Sequence, residues 1–571
     1  MFKKNLTHLQ SDLFGMQNIM PESYKKSAEK SEEYHFFKII FCNIKEEIFA
    51  HLYSDKKSRP NSPINAIVAS LILMNRKTWT YEELFKQIKF NILVRIALGL
   101  DNLFTMPFCM ATLFNFQNRL NDHFIKTGEN LLEQVFDHLT ENQLKALKLK
   151  TNIQRTDSTM AASNIRNYSR LQLLIEMILR IYRILTEKDK ELFIKQFKPY
   201  VDKKTSGQYI YTLKASDIPH ELKKVGKLFF WIAKHLKSSY GHFEIFKIFE
   251  RVYAEHFKIV NKKVRVRARS ELHSNCVQSP DDLDATYRDK HGKKSKGQSI
   301  NVTETANPDN PINLVTDVSV NPSNKDDCKV LNERIDKIQE KAPDLDEIHF
   351  DGAYGSEEND LKFEEHQINP IQTAVRGKEA SLDIEIEQIS DAEYAVRCPY
   401  QAVKSERARK RFKARFDLEL CRNCKENNSC PAKEMKRDRI FYFTHEDYLR
   451  KKRLKRITTI PPDRRKLRNN IEATINEFVC KMHKGKLKVR GAFKTAIFAY
   501  SVAISVNFGR IYRLVVDNPE LIQAFFSYFY QIVKERFLLV FDNILGLEKF
   551  DLHFTLLRRK YTVAPVINLC F

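Results

Sequence analysis

The spacing of apolar residues changes character along the chain, and the changes mark out its parts. Ser62-Pro63 predicts a helix start, with an N-cap serine and proline in the first turn. Ile64, Ile67, Val68, Leu71 and Ile72 then follow at helical spacing. Thr80-Tyr81-Glu82-Glu83 reads as a capping box for the next helix and Gly99 as a C-terminal cap. Leu113, Phe114, Phe116 and Leu120 predict a third helix. Residues 1–145 therefore read as a helical N-terminal domain, either a helix-turn-helix DNA-binding module or a plain bundle.

A different period begins at Leu147. Residues 147–153 predict a strand leading into a loop at Arg155-Thr156-Asp157-Ser158-Thr159. Leu171, Leu174, Ile175, Ile178, Ile181, Tyr182 and Leu185 restore a helical face, so about 165–270 reads as a helical insertion. After an expected loop at Asp289–Gly297, strands are predicted at Gln298–Thr305 and Ile312–Val320, then a helix over Lys325–Lys341. The apolar run Ile348-His349-Phe350 delivers Asp351, where Gly352-Ala353-Tyr354-Gly355 turns the chain. A short strand is expected at Ile368–Val375. This succession describes an α/β fold with a mixed sheet and both hairpin and crossover connections, over residues 146–377.

Residues 378–465 interrupt that pattern. Leu382, Ile384, Ile386 and Ile389 nearly alternate, and Phe441-Tyr442-Phe443 is another strand candidate. This predicts a small β-rich insertion containing cysteines. Residues 466–571 read as helical, basic at first and strongly apolar later.

Composition narrows the partners. The chain has 571 residues with 96 Lys and Arg against 72 Asp and Glu, a net charge of +24. Such a surplus favours a polyanion, because each neutralised phosphate releases counterions. Forty Phe and 22 Tyr beside only 15 Gly point to an ordered, core-forming protein. No apolar run reaches the ~18 residues of a membrane span, and Met1-Phe2-Lys3-Lys4-Asn5-Leu6 does not lead into an apolar leader. A cytoplasmic protein with reduced thiols is expected.

Candidate chemistry lies in three acids. Asp157 and Asp351, each at a strand end, can meet at one sheet edge, and Glu472 can approach on a helix. Arg468, four residues before Glu472, shares its helical face. Several carboxylates converging on two divalent cations about 4 Å apart can clamp the attacking and leaving oxygens of a phosphodiester, and oxygen ligands suit Mg²⁺ or Mn²⁺. Glu477 is the rival third acid. Separately, Cys398, Cys421, Cys424 and Cys430 bring four thiols with one Cys-x2-Cys pair, a pattern that suits structural Zn²⁺.

Thr156-Asp157-Ser158-Thr159, Asp351-Gly352-Ala353-Tyr354-Gly355-Ser356 and Arg468-x3-Glu472 together resemble the DDE transposases of bacterial insertion sequences. Asp284-Ala285-Thr286-Tyr287-Arg288-x-Lys290 and His483-Lys484-Gly485-Lys486-x3-Arg490-Gly491 extend the likeness over roughly residues 60–510. The resemblance implies an RNase H-like core interrupted between the second Asp and the Glu by a zinc-ribbon-like insertion. It implies that Asp157, Asp351 and Glu472 hold two Mg²⁺ ions, with Arg468 beside them. DNA would be cut at the element's ends and joined to target DNA, by a homodimer on terminal inverted repeats. The family's lysine seven residues after the glutamate is here Val479, and Lys481 falls off the active face. Tyr354, Arg490, Lys290, Lys296, Lys410 and Arg411 are candidate DNA contacts. Alternatives are a nuclease that cuts without joining and a captured, non-cutting DNA-binding protein.

Overall fold

The computed structural model describes residues 1–521, apart from 10–14, 55, 57–58, 104, 291, 376–383 and 391. The helical expectation for 522–571 and the placing of Leu382 lie outside the described residues.

Among the described residues the central sheet has six strands. They are β1 (Ile153–Ala162), β2 (Thr286–Lys290), β3 (Lys293–Thr305), β4 (Val315–Pro322), β5 (Glu347–Phe350) and β6 (Asn369–Gln372). β3 lies beside β1 and also pairs with β2 and β4, all antiparallel. On its other side β1 pairs parallel with β5, and β5 parallel with β6. The sheet is thus mixed, as the hairpin and crossover signals require, and Pro370 sits on the end strand of this order, where a missing N–H is tolerated.

Two boundaries differ from the sequence reading. The first strand does not stop before the acidic motif; it starts at Ile153 and runs through Asp157 to Ala162. Its partner explains this, because β3 pairs with it from Gln154↔Thr305 to Ala162↔Gly297 and satisfies its backbone throughout. The expected loop at 289–297 is instead the β2–β3 hairpin, turned at Gly292 with φ of 81°. Its lysines carry no apolar alternation, so pattern alone hid the pairing. Gly297 is required there: a Cβ would lie 2.2 Å from the Ala161 carbonyl oxygen.

The N-terminal helices α1 (Ile64–Lys77), α2 (Tyr81–Phe90) and α3 (Met110–Thr127) carry the predicted signals. Thr80 and Glu83 form the capping box of α2, and Gly99 takes φ of 61°. α1 shares one core with Ile300, Val302 and Val318 of the sheet and with the long helix Ala492–Asp517. That long helix alone among the described ones is long and apolar enough to cross a membrane, which the sequence reading missed; 83% of its most apolar window is buried inside the protein. Its Asn507 is also committed to the core, bonding both the N–H and the carbonyl of Val315 at 2.7 and 2.9 Å.

The helices between β1 and β2 build a second core around Leu174, Ile178, Phe229 and Phe249. A third unites β5 with α4 (Asp327–Lys341) and α5 (Glu357–Glu365) through Ile348, Phe350, Leu331, Ile335 and Phe363. Residues 385–443 form a separate antiparallel sheet with its own apolar centre.

Candidate active site

Asp157 and Asp351 come together by strand register. β1 and β5 pair Ile153↔Glu347, Gln154↔Ile348 and Arg155↔His349. Carried two residues further, that register sets Asp157 opposite Asp351, on neighbouring chains about 4.8 Å apart. Asp157 is therefore mid-strand, while Asp351 is the first residue after β5, and both lie on one face. The Asp351 carboxylate accepts a bond from Ala353 N–H at 2.8 Å, which fixes the turn. Gly352 permits that turn, since a Cβ there would meet the Ala374 carbonyl at 2.8 Å.

Burial pushes the Asp157 carboxyl above the usual carboxylate range, and the nearby charge of Asp351 adds to the rise. The Ser158 N–H, Arg468 and Lys290 oppose it. Two acids in one partly dry place are uneasy neighbours without a cation.

Glu472 stands near the start of the helix Ile471–Val479 and is largely exposed. It reaches Asp157 through Arg468. One guanidinium nitrogen is 2.8 Å from Asp157 Oδ2 and the other 3.4 Å from Glu472 Oε1. Arg468 thus bridges the two acids, and among the described residues no three Asp, Glu, His or Cys side chains are grouped as a ligand set. Glu477 is engaged elsewhere, 2.8 Å from Arg510. Lys481 turns away to the Arg76 carbonyl at 2.6 Å.

A buried ion network fixes the segment that carries Arg468 and Glu472. Glu304 of β3 is fully buried and accepts from Arg155 Nε and Arg510 Nη1, each at 2.7 Å, and from Thr474 Oγ1 at 2.7 Å. Arg155 also holds the Leu467 carbonyl at 2.8 Å. Charges buried this deeply survive only when paired and bonded. Removing Glu304 would leave Arg155 without its carboxylate and Arg510 with Glu477 alone. The sequence reading missed Glu304, whose position in an alternating Thr/Glu strand carried no signal.

It also missed Asp327. This first residue of α4 is buried, accepts the Ser158 hydroxyl at 3.0 Å, and pairs with Arg288 at 3.3 Å. Asp327, Asp157 and Asp351 all act electrostatically on the Tyr354 hydroxyl, which burial drives far above its ordinary range.

The expected DNA contacts divide. Tyr354 is a correction: it is fully buried, its hydroxyl donating to Asn301 Oδ1 at 3.2 Å, because the Gly-x-x-Gly turn folds it into the core. Lys296 is also drawn inward, its ammonium 2.9 Å from the Tyr168 carbonyl. Arg490 is half exposed but bonds the Asn164 carbonyl at 2.8 Å. Lys290 is exposed on β2, with its charge felt at Asp157. Lys410 is exposed, and Arg411 lies 3.8 Å over the Tyr442 ring.

The zinc-ribbon expectation is also corrected. Cys398, Cys421, Cys424 and Cys430 do line one pocket, but among the described residues no three of them are placed to hold a metal. Cys421 is buried in the apolar centre of the second sheet with Cys398 and Cys430 packed against it, and Gln401 Nε2 donates to its sulfur at 3.5 Å. Cys421, Cys398 and Cys430 thus add to that apolar centre.

Residues 392–512 match the family model described as a transposase DDE domain. The match covers that segment alone and supports a likeness to the DDE transposases. The matched segment contains Arg468 and Glu472, while Asp157 and Asp351 lie before it. No curated protein and no solved structure matches the chain.

Proposed function

We propose that the protein is the transposase of a bacterial insertion sequence, cutting DNA at the element's ends and joining the freed 3′ ends to target DNA. The observation that carries this reading is the bridge made by Arg468. It ties the family-matched segment to Asp157, and strand register sets Asp351 beside Asp157, which supports a site drawn from distant parts of the chain. The strand order β4–β3–β1–β5–β6, antiparallel in its first three strands and parallel beyond, supports an RNase H-like core.

Divalent Mg²⁺ or Mn²⁺, when bound, would lower the barrier for a hydroxyl to attack phosphorus. Asp157 and Asp351 suit such a cation, being hard oxygen donors side by side on one face. The raised affinity of Asp157 for a proton favours any cation that relieves its repulsion with Asp351. Glu472 is the third donor, joining them when Arg468 releases it. Arg468 would then be free to pair with a DNA phosphate, to which a planar guanidinium fits bidentately. Paired ends would be handled by a homodimer on terminal inverted repeats.

The test is incubation of the full chain with duplex DNA bearing the element's ends and Mg²⁺. Cleavage followed by strand joining supports the transposase. Cleavage without joining favours a nuclease of the same core, and binding without cleavage favours a captured DNA-binding protein.

A further inference from the structure

We infer that the β2–β3 hairpin is a phosphate-gripping arm that holds duplex DNA against the Asp157 face. This deepens the proposed function and rests on it. Directly paired residues of an antiparallel hairpin share a face, so Lys290 and Lys293 project side by side, and Arg288 lies on that same face two residues back. Lys294 projects from the other face, opposite Asp289.

Like charges placed directly across a hairpin destabilise it. Here Lys290 faces Lys293 near the tip, both exposed, and among the described residues neither they nor Lys294 make an ion pair. The one acid of the hairpin, Asp289, is turned to its own chain, accepting from Gly292 N–H at 3.0 Å and from the Tyr287 hydroxyl at 3.4 Å. Among the described residues the tip's lysines thus make no ion pair that offsets the repulsion. A polyanion would offset it.

The hairpin is also aimed. Arg288 pairs with Asp327 at 3.3 Å and donates to the Ser323 carbonyl at 3.2 Å, which pins the arm to the start of α4. Asp327 in turn holds Ser158, the neighbour of Asp157. A phosphate held by Lys290 and Lys293 would therefore lie on the face that Arg288 and Asp327 link to Ser158, next to Asp157. The contact is to backbone phosphate and carries no base readout.

The experiment measures binding of the full chain to a duplex of the element's end without divalent metal, from 50 to 250 mM salt. It compares K290Q/K293Q/K294Q with an equal-charge control, K223Q/K227Q/K234Q, on exposed lysines of the helical block. The hairpin variant is expected to bind more weakly and to flatten the log–log salt slope by about 2–3, since each phosphate contact contributes ~0.9. The control should keep the wild-type slope. Its melting temperature should not fall in the hairpin variant, because a repulsion is removed; if that variant does not fold, K293Q alone should flatten the slope by about 1. An unchanged slope in the hairpin variants, or an equal loss in the control, overturns the arm. Failure of the wild-type chain to bind duplex DNA at any salt overturns the proposed function itself, a separate result.

Discussion

Asp157 of β1 and Asp351, the first residue after β5, stand opposite each other when the parallel register that pairs Arg155 with His349 is carried two residues on. Nearly two hundred residues separate them in sequence. The sheet brings them into one small space, and burial makes Asp157 reluctant to ionise there.

That reluctance has a sign. A carboxyl whose folded pKa is raised favours folding only while protonated, and the benefit disappears as pH rises through the folded value. At pH 7 the ionised Asp157 therefore strains the fold. Asp157→Asn is expected to melt at least as high as wild type at pH 7, with the difference shrinking as pH falls toward about 4. Thermal melts across that range check it.

Arg468 binds both Asp157 and Glu472 and is largely buried. Arg468→Gln leaves two acids facing each other and should cost about 1–3 kcal/mol of stability. Added Mg²⁺ should raise the melting temperature of this variant more than that of wild type, because the competing cation is gone. Melts with and without Mg²⁺ make the comparison.

Glu304 is the centre of the anchor beneath the site. Glu304→Gln leaves Arg155 without its carboxylate and Arg510 with Glu477 alone, with an expected loss of about 3–5 kcal/mol in urea denaturation. Activity should fall with it in the surviving folded protein, since the segment holding Arg468 and Glu472 is tied down through Arg155 and Thr474.

Tyr354 tests the assignment of a buried rather than a DNA-facing role. Tyr354→Phe removes the hydroxyl's bonds with Asn301 and should cost about 1–3 kcal/mol. DNA affinity in a salt titration should match wild type, whereas a surface contact would lower it.

Much of this architecture was legible before the structure. The capping box at Thr80 and Glu83 acts locally, so four residues announce it. Apolar spacing likewise exposed α1, the helical block and the mixed sheet. Asp157 and Asp351 stood out because of the residues around them, the turn glycines above all. Features set by distant partners stayed hidden: the length of β1 depends on β3, and the β2–β3 hairpin is polar on both faces. Glu304 and Asp327 look like ordinary surface acids until the arginines that bury with them are located. Tyr354 shows the opposite error, an aromatic in a polar motif that folds inward. The cysteines misled because spacing reports only which thiols are near in sequence, while packing decides whether they converge on a metal or on one another.

The central claim is that Asp157 and Asp351 act together on one phosphodiester. Its most direct test is Mg²⁺-dependent cleavage of element-end DNA under single-turnover conditions, comparing wild type with Asp157→Asn, Asp351→Asn and the double variant. Each single change should lower the rate on the order of a thousand-fold or more, and the double change should add little, as for residues that work as a unit. Wild-type cleavage by either single variant, once folded, would contradict the account.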